Sequence, residues 1–306
     1  MRKVDHYLEV ILDSRIIKGY LFAIASAIIY GCMPLMSKYI YDDGVTPFTL
    51  VFFRNFFSLV PLAILAYRES GTLKISAKKL PTITLISVLG CSATPMLLFS
   101  SYRFISSGTA TVFHFAYPAM VVIGEMLFLR KRPRPVSLAS VLLCVVGVSL
   151  FYSTGQSVDL FGGGLALLSG VTFASYVILL SRFDKGGVRG FLFTFYVVLI
   201  SSIVSFAACV ATNSLALPQT WFGWGLCVLF SLLVTTGAVV LFQQSTFLIG
   251  GRRSSILSTL EPITGVLIGA FIFNEPMGAK AIVGVVLVIL ASVLTAAMDI
   301  KKKRLD

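Results

Sequence analysis

The sequence predicts an all-α polytopic membrane protein, with ten transmembrane helices arranged as two inverted five-helix repeats. Three observations lead there. First, of 306 residues 57% are hydrophobic and 12% charged, against about 25% charged in soluble domains. Second, apolar runs of about 20 residues follow one another with only short links, and that is the length a helix needs to cross a bilayer. Third, the chain aligns with itself when shifted by 144 residues. At that shift Ser101 meets Ser245, Pro118 meets Pro262, Leu143 meets Leu287, Gly19 meets Gly163 and Ser37 meets Ser181. One constant offset along the whole chain marks an internal duplication.

Residues 1–15 are polar and charged, with Val4, Leu8, Ile11 and Leu12 at helical spacing. They predict an amphipathic segment lying on the cytosolic membrane surface. The segment lacks the order of basic start, apolar core and small-residue cut site of a cleaved signal. The first repeat covers 16–152, with spans near 17–39, 47–67, 81–102, 107–129 and 135–152. The second covers 160–298, with spans near 162–181, 191–211, 222–248, 254–273 and 279–298. Residues 299–306 form a basic cytosolic tail. The links carry Pro, Gly, Asp, Asn, Lys or Arg, as turns do.

The net charge of +12 would point to nucleic acid in a soluble protein. Here the basic residues sit in short loops beside apolar spans, which is a statement about membrane orientation, and nucleic acid is excluded as a partner. With the N-terminus in the cytosol, 21 of the 25 Lys and Arg fall on the cytosolic side. Both termini are then cytosolic, in a multi-pass protein of the plasma (inner) membrane. Five spans per copy is an odd number, so the second copy is upside down relative to the first. The loop charges agree: Arg130, Lys131 and Arg132 lie inside, while their repeat partners Asn274, Glu275 and Pro276 lie outside.

Ten spans in two copies, with a Pro near the middle of the fourth and ninth, carry three local patterns. These are Arg54-Asn55 in the second span, Leu260-Glu261-Pro262 in the ninth, and Asn274-Glu275-Pro276 at the turn after it. The chain resembles the drug/metabolite transporter (DMT) superfamily, EamA type, over about residues 17–298. One position departs from the family pattern: a Glu is common after the fourth span, where this chain has Arg130-Lys131. The resemblance implies transport of small organic solutes without naming the cargo.

The residues lead the same way. Inverted repeats place a solute cavity between the halves near the midplane. Ionisable groups inside spans are costly and face such cavities. The candidates are Arg54, His114, Glu125 and Glu261; Lys38 and Arg103, near span ends, snorkel to the interface. Arg54 either binds an anionic cargo group, pairs with a carboxylate or clamps a backbone carbonyl. His114 either couples protons, hydrogen-bonds the cargo, or is a lone histidine bonded between helices. Glu261, beside the helix-loosening Pro262, either holds a cation or proton or caps a broken turn. Glu125 is read as a salt bridge to the neighbouring Arg130–Arg134 cluster. Tyr30, Tyr117, Tyr176, Thr235 and Gln243 complete the expected substrate-binding set.

Five cysteines lie in or beside apolar spans without metal-ligand spacing, and no metalloprotease, nucleophile-elbow or phosphate-cradling motif occurs. No cofactor, metal or enzymatic activity is expected. The function read from the sequence is secondary transport, written as export, of small metabolites such as amino acids by alternating access. Protons as a coupling partner and a monomeric state stay open. The alternative is a membrane-embedded enzyme or a non-transporting receptor or scaffold.

Overall fold

Proline marks most of the places where the helices of this protein break. A proline has no N–H, so the carbonyl four residues earlier loses its helical donor. The computed structural model describes residues 14–105, 107–129, 135–150, 159–184, 186–264, 267 and 279–302, and all regular structure among them is helical. Helix α1 (Ser14–Gly31) gives way to α2 (Met33–Asp42) at Cys32, two residues before Pro34. Helix α3 (Pro47–Phe56) gives way to α4 (Leu59–Ser70), whose third residue is Pro61. After a 3₁₀ turn at Ala77–Lys79 come α5 (Leu80–Ser87), a π-helical segment Val88–Ala93, and α6 (Thr94–Ser101) with Pro95 as its second residue. Helix α7 (Ser107–His114) stops just before Pro118 of α8 (Tyr117–Leu129), and α9 (Pro135–Ser149) follows.

The second half begins with two helices that contain no proline and run unbroken, α10 (Leu160–Arg182) and α11 (Gly190–Ala211). Then come α12 (Trp221–Phe230), a π-helical segment Ser231–Val239, α13 (Val240–Ile249) and α14 (Gly251–Leu257). A turn at 258–259 separates α14 from helical residues 260–264, which contain Pro262, and α15 (Ala279–Lys302) closes the described chain. Helix starts are capped where the sequence allows. The side chains of Thr46, Asp159 and Thr220 accept from the backbone N–H groups of Thr49, Gly162 and Gly223 at 3.2, 2.7 and 3.0 Å.

Six of these helical stretches are long and apolar enough to cross a membrane, and shorter apolar helices lie at Tyr117–Phe128, Pro135–Gly147 and Ile282–Ala291. Large side chains face outward without cover, among them Leu127 at 70% and Phe128 at 80% exposure. In water such a surface would be a liability; in a bilayer it is the surface that lipid covers. The expected surface segment at 1–15 falls almost wholly outside the described residues. Of the expected tail at 299–306, residues 299–302 continue α15 and the others lie outside them.

The 144-residue offset recurs in the geometry. Ala77 and Trp221, Ser107 and Gly251, and Pro135 and Ala279 each begin matching helical segments at that spacing. Shifted by the same amount, the π-helical residues 88–93 fall inside Ser231–Val239. The break before Pro118 has its match before Pro262. Packing repeats as well: α1 lies along α13, and its image is α10 along α6. Helix α11 packs on α3 and α4, α8 meets α14, and α9 pairs with α15 at the edge of the bundle. Between apolar helices in lipid, hydroxyl-to-carbonyl bonds help to hold the contacts. Ser26 Oγ donates to the Ala238 carbonyl at 2.8 Å and Ser87 Oγ to the Val197 carbonyl at 2.6 Å.

Candidate functional site: a charged cavity where broken helices meet

The helix breaks converge. Residues flanking four of them, namely Tyr30 and Met33, Gly90, Thr94 and Pro95, His114 and Tyr117, and Ser258 and Glu261, line one cavity together with Arg54. Its volume is about 50 Å³. That holds a few waters and is far below the roughly 300–1,000 Å³ of an open ligand pocket.

Each side chain reaches the cavity for a local reason. Arg54 sits two residues before the end of α3. Its own carbonyl has lost the helical donor, since the Ser58 N–H turns to Asn55 O at 3.2 Å. Hydroxyls replace that donor: Ser231 Oγ and Ser58 Oγ donate to Arg54 O at 2.7 and 3.1 Å. The guanidinium is buried, and its Nε donates to Thr235 Oγ1 at 3.3 Å. The Tyr30 hydroxyl lies against it. Arg54 makes no salt bridge among the described residues.

Its neighbour Asn55 has a different task. Pro95 leaves the Cys91 carbonyl without a helical donor, and Asn55 Nδ2 donates to it at 3.3 Å. The same amide nitrogen contacts Val51 O at 2.8 Å and Ser201 Oγ at 3.0 Å. Ser201 Oγ in turn meets Ser92 Oγ at 2.7 Å. Asn55 thus fastens α3 to the broken helix and to α11, and so fixes the register of Arg54.

His114 ends α7. Its Nδ1 is 2.8 Å from Ser169 Oγ on α10, and the next residue there is Gly170, where a Cβ would stand 2.9 Å from the His114 carbonyl. That carbonyl is the one freed by Pro118. Tyr117 is buried, its hydroxyl donates to Ser255 O at 3.2 Å, and its ring meets Phe173 edge-on at 4.7 Å. Glu261 opens the helical residues after the second matching break. A Cβ at Gly31 would lie 2.7 Å from the Glu261 carbonyl, so only glycine lets α1 come this close. The Glu261 carboxylate forms no ion pair or hydrogen bond among the described residues, although it and Arg54 line the same cavity.

Five of the eight sequence-derived candidates, Arg54, His114, Glu261, Tyr30 and Tyr117, line this cavity. The other three form the layer around it. Thr235 holds Arg54. Tyr176 packs on Phe173 and Phe242, with its ring on Gly90. Gln243 Oε1 accepts from Thr194 Oγ1, away from the cavity wall. Thr94, Pro95, Phe99, Phe173 and Ser258 line the wall without having been singled out. The duplication carried a signal for one of them, because Ser258 is the repeat partner of His114, as Glu261 is of Tyr117. Glu125 pairs with Arg252 of the other copy, which stands where the sequence suggested the nearer Arg130–Arg134 cluster. Those arginines lie outside the described residues. No group of three or more His, Cys, Asp or Glu gathers among the described residues, and the five cysteines are free thiols.

Broken apolar helices meeting at a small charged cavity, in a chain that repeats itself, define a class: a duplicated membrane carrier of small solutes. The sequence profile of the EamA-like transporter family matches residues 17–153 and again 160–297. The chain belongs to that family, within the drug/metabolite transporter superfamily, and is an integral membrane transporter. It is similar to the protein named "Uncharacterized inner membrane transporter YicL" of Salmonella typhimurium, 23% identical over 94% of this chain and 97% of that one. It is also similar to the "Uncharacterized transporter YwfM" of Bacillus subtilis, 25% identical over 92% and 95%, and to a WAT1-related protein of Arabidopsis thaliana, 25% identical over 91% and 89%. A crystal structure superposes with a TM-score of 0.74 at 16% identity, over 94% of this chain and 98% of that chain, which speaks for the fold alone.

Proposed function

We propose that the protein is a secondary transporter of small zwitterionic metabolites, with amino acids as the leading class, working by alternating access in the inner membrane. The observation that carries this is that a basic and an acidic side chain, Arg54 and Glu261, line one cavity, with neither in a salt bridge among the described residues. A buried charge left without a partner costs several kcal/mol. A cargo carboxylate matches the guanidinium with paired hydrogen bonds, and a cargo amine matches Glu261. A zwitterion satisfies both at once, whereas a proton on Glu261 satisfies only one.

Ten spans in two inverted five-helix copies, about 16–152 and 160–298, supply the moving parts. The broken helices let each half pivot near the midplane while the other half keeps its backbone bonds. The Glu125–Arg252 pair ties the halves at one end. Away from that pair, the fully buried Phe99 lines both the cavity and a wider vestibule. Opening either end while the other stays shut gives alternate exposure. The charge bias of the loops supports the Arg252 end as cytosolic. Family membership fits a carrier better than the membrane-enzyme or scaffold alternative.

The test is flux. Purified protein in proteoliposomes is offered a panel of radiolabelled amino acids, with and without a proton gradient. Arg54→Gln and Glu261→Gln should each cut the flux of the accepted cargo at least tenfold while the protein stays folded, since each removes a charge-assisted contact. Unchanged flux in both variants would sink the cavity assignment.

A further inference from the structure

We infer that the protein carries a second, separate binding site for a small carboxylate with a flat apolar body, in the vestibule beyond Phe99. This vestibule has a volume of about 260 Å³, five times that of the central cavity. Its walls are Tyr41, Val45, Pro47, Phe99, Tyr102 and Arg103, with Thr46 beside them. Phe99 lines both spaces.

Two polar groups here have no protein partner. The Tyr41 hydroxyl is buried and makes no hydrogen bond among the described residues. Arg103 is exposed, and its guanidinium forms no ion pair or hydrogen bond among them either. A buried hydroxyl without a partner is rare, because it loses its water and gains nothing. Thr46 is committed elsewhere, donating to the Ser214 carbonyl. That leaves one cation and one phenol among the residues that line a space walled mainly by aromatic and aliphatic side chains. The guanidinium takes a carboxylate with two parallel hydrogen bonds, the Tyr41 hydroxyl donates a third, and the rings of Phe99 and Tyr102 cover the apolar body. Snorkelling accounts for the charge of Arg103. It leaves the orphaned Tyr41 hydroxyl unexplained.

The site stands apart from the transport reading and is tested without flux. The probe is 4-fluorobenzoate, followed by fluorine NMR, with the full-length protein in nanodiscs of neutral phosphatidylcholine. The probe signal should broaden saturably on adding protein. Arg103→Gln should weaken binding about tenfold or more, Arg103→Lys should weaken it less, and Tyr41→Phe should weaken it several-fold. Arg54→Gln, in the central cavity, should weaken it less than Arg103→Gln does. Absence of saturable broadening overturns the site. So does binding indifferent to Arg103→Gln, or binding lost in Arg54→Gln and kept in Arg103→Gln, which would put the probe in the central cavity. A null result here leaves the flux result standing, and the reverse holds too.

Discussion

Gly31 and Gly170 do for the cavity what no other residue type can. At each, a Cβ would press within 3.0 Å of a backbone carbonyl, that of Glu261 and that of His114 respectively. Backbone cannot rotate away as a side-chain tip can, so the helices themselves would have to separate. Gly31→Ala and Gly170→Ala should each destabilise the protein by about 1–3 kcal/mol, the cost of overpacking a tight contact. The check is the midpoint of thermal unfolding in detergent at a fixed scan rate. Gly164→Ala and Gly225→Ala are the controls, because nothing lies within 4 Å of a Cβ there. Those two should be neutral or slightly stabilising, since alanine favours helix over glycine. The sequence alone does not tell these glycines apart. Which of them meets a carbonyl is a property of the neighbouring helix, and one chain's local pattern does not contain it.

At the scale of elements, the breaks were largely legible. Pro34, Pro61, Pro95, Pro118 and Pro262 each free one carbonyl, and each falls beside a break or π-helical turn. What answers each freed carbonyl was not legible, because the partner comes from another helix. For Pro95 the partner is Asn55, which bonds the Cys91 carbonyl. That yields a double-mutant test. Asn55→Ala alone should cost about 1–3 kcal/mol, since buried acceptors are left open. In a Pro95→Ala background the backbone N–H returns to Cys91 O, and Asn55→Ala should cost measurably less. Equal costs in both backgrounds would mean that Asn55 acts through Val51 and Ser201 alone. The second π-helical segment, Ser231–Val239, contains no proline and gave no local sign. Its geometry goes with packing on α1, where Ser26 Oγ takes the Ala238 carbonyl. Only the repeat offset, carried over from Val88–Ala93, could have foretold it.

For the molecule as a whole, composition and the 144-residue offset were enough for the class, and the geometry repeats at that same offset. Sidedness rests on the 21-to-4 division of basic residues. Reporter fusions should report Gly71, Arg132, Gly187 and Asp306 from the cytosol, and Asp43, Gly155 and Asn213 from the far side. A cytosolic reporter at Asn213 would break the ten-span arrangement. The candidate site was legible in its charged and phenolic members, because a costly group in an apolar helix stands out. Phe99 and Phe173 were invisible among 25 phenylalanines. Glu125 pairs with Arg252, which arrives from the other copy and which nearness in sequence does not name; the expected partners Arg130–Arg134 lie outside the described residues.

That ion pair makes the duplication unequal. The repeat partners of Glu125 and Arg252 are Gly269 and Gly108, so no matching pair can form from those positions. On the alternating-access reading, the two half-reactions of the cycle are then not mirror images. An empty carrier must break the Glu125–Arg252 pair to reorient, with no cargo to offset the loss. Exchange of cargo for cargo should therefore outrun net efflux into cargo-free buffer. In proteoliposomes, Glu125→Gln with Arg252→Gln should narrow that gap, chiefly by quickening net efflux. An unaltered ratio of exchange to net flux would mean that the pair holds the fold together and has no part in the rhythm of the carrier.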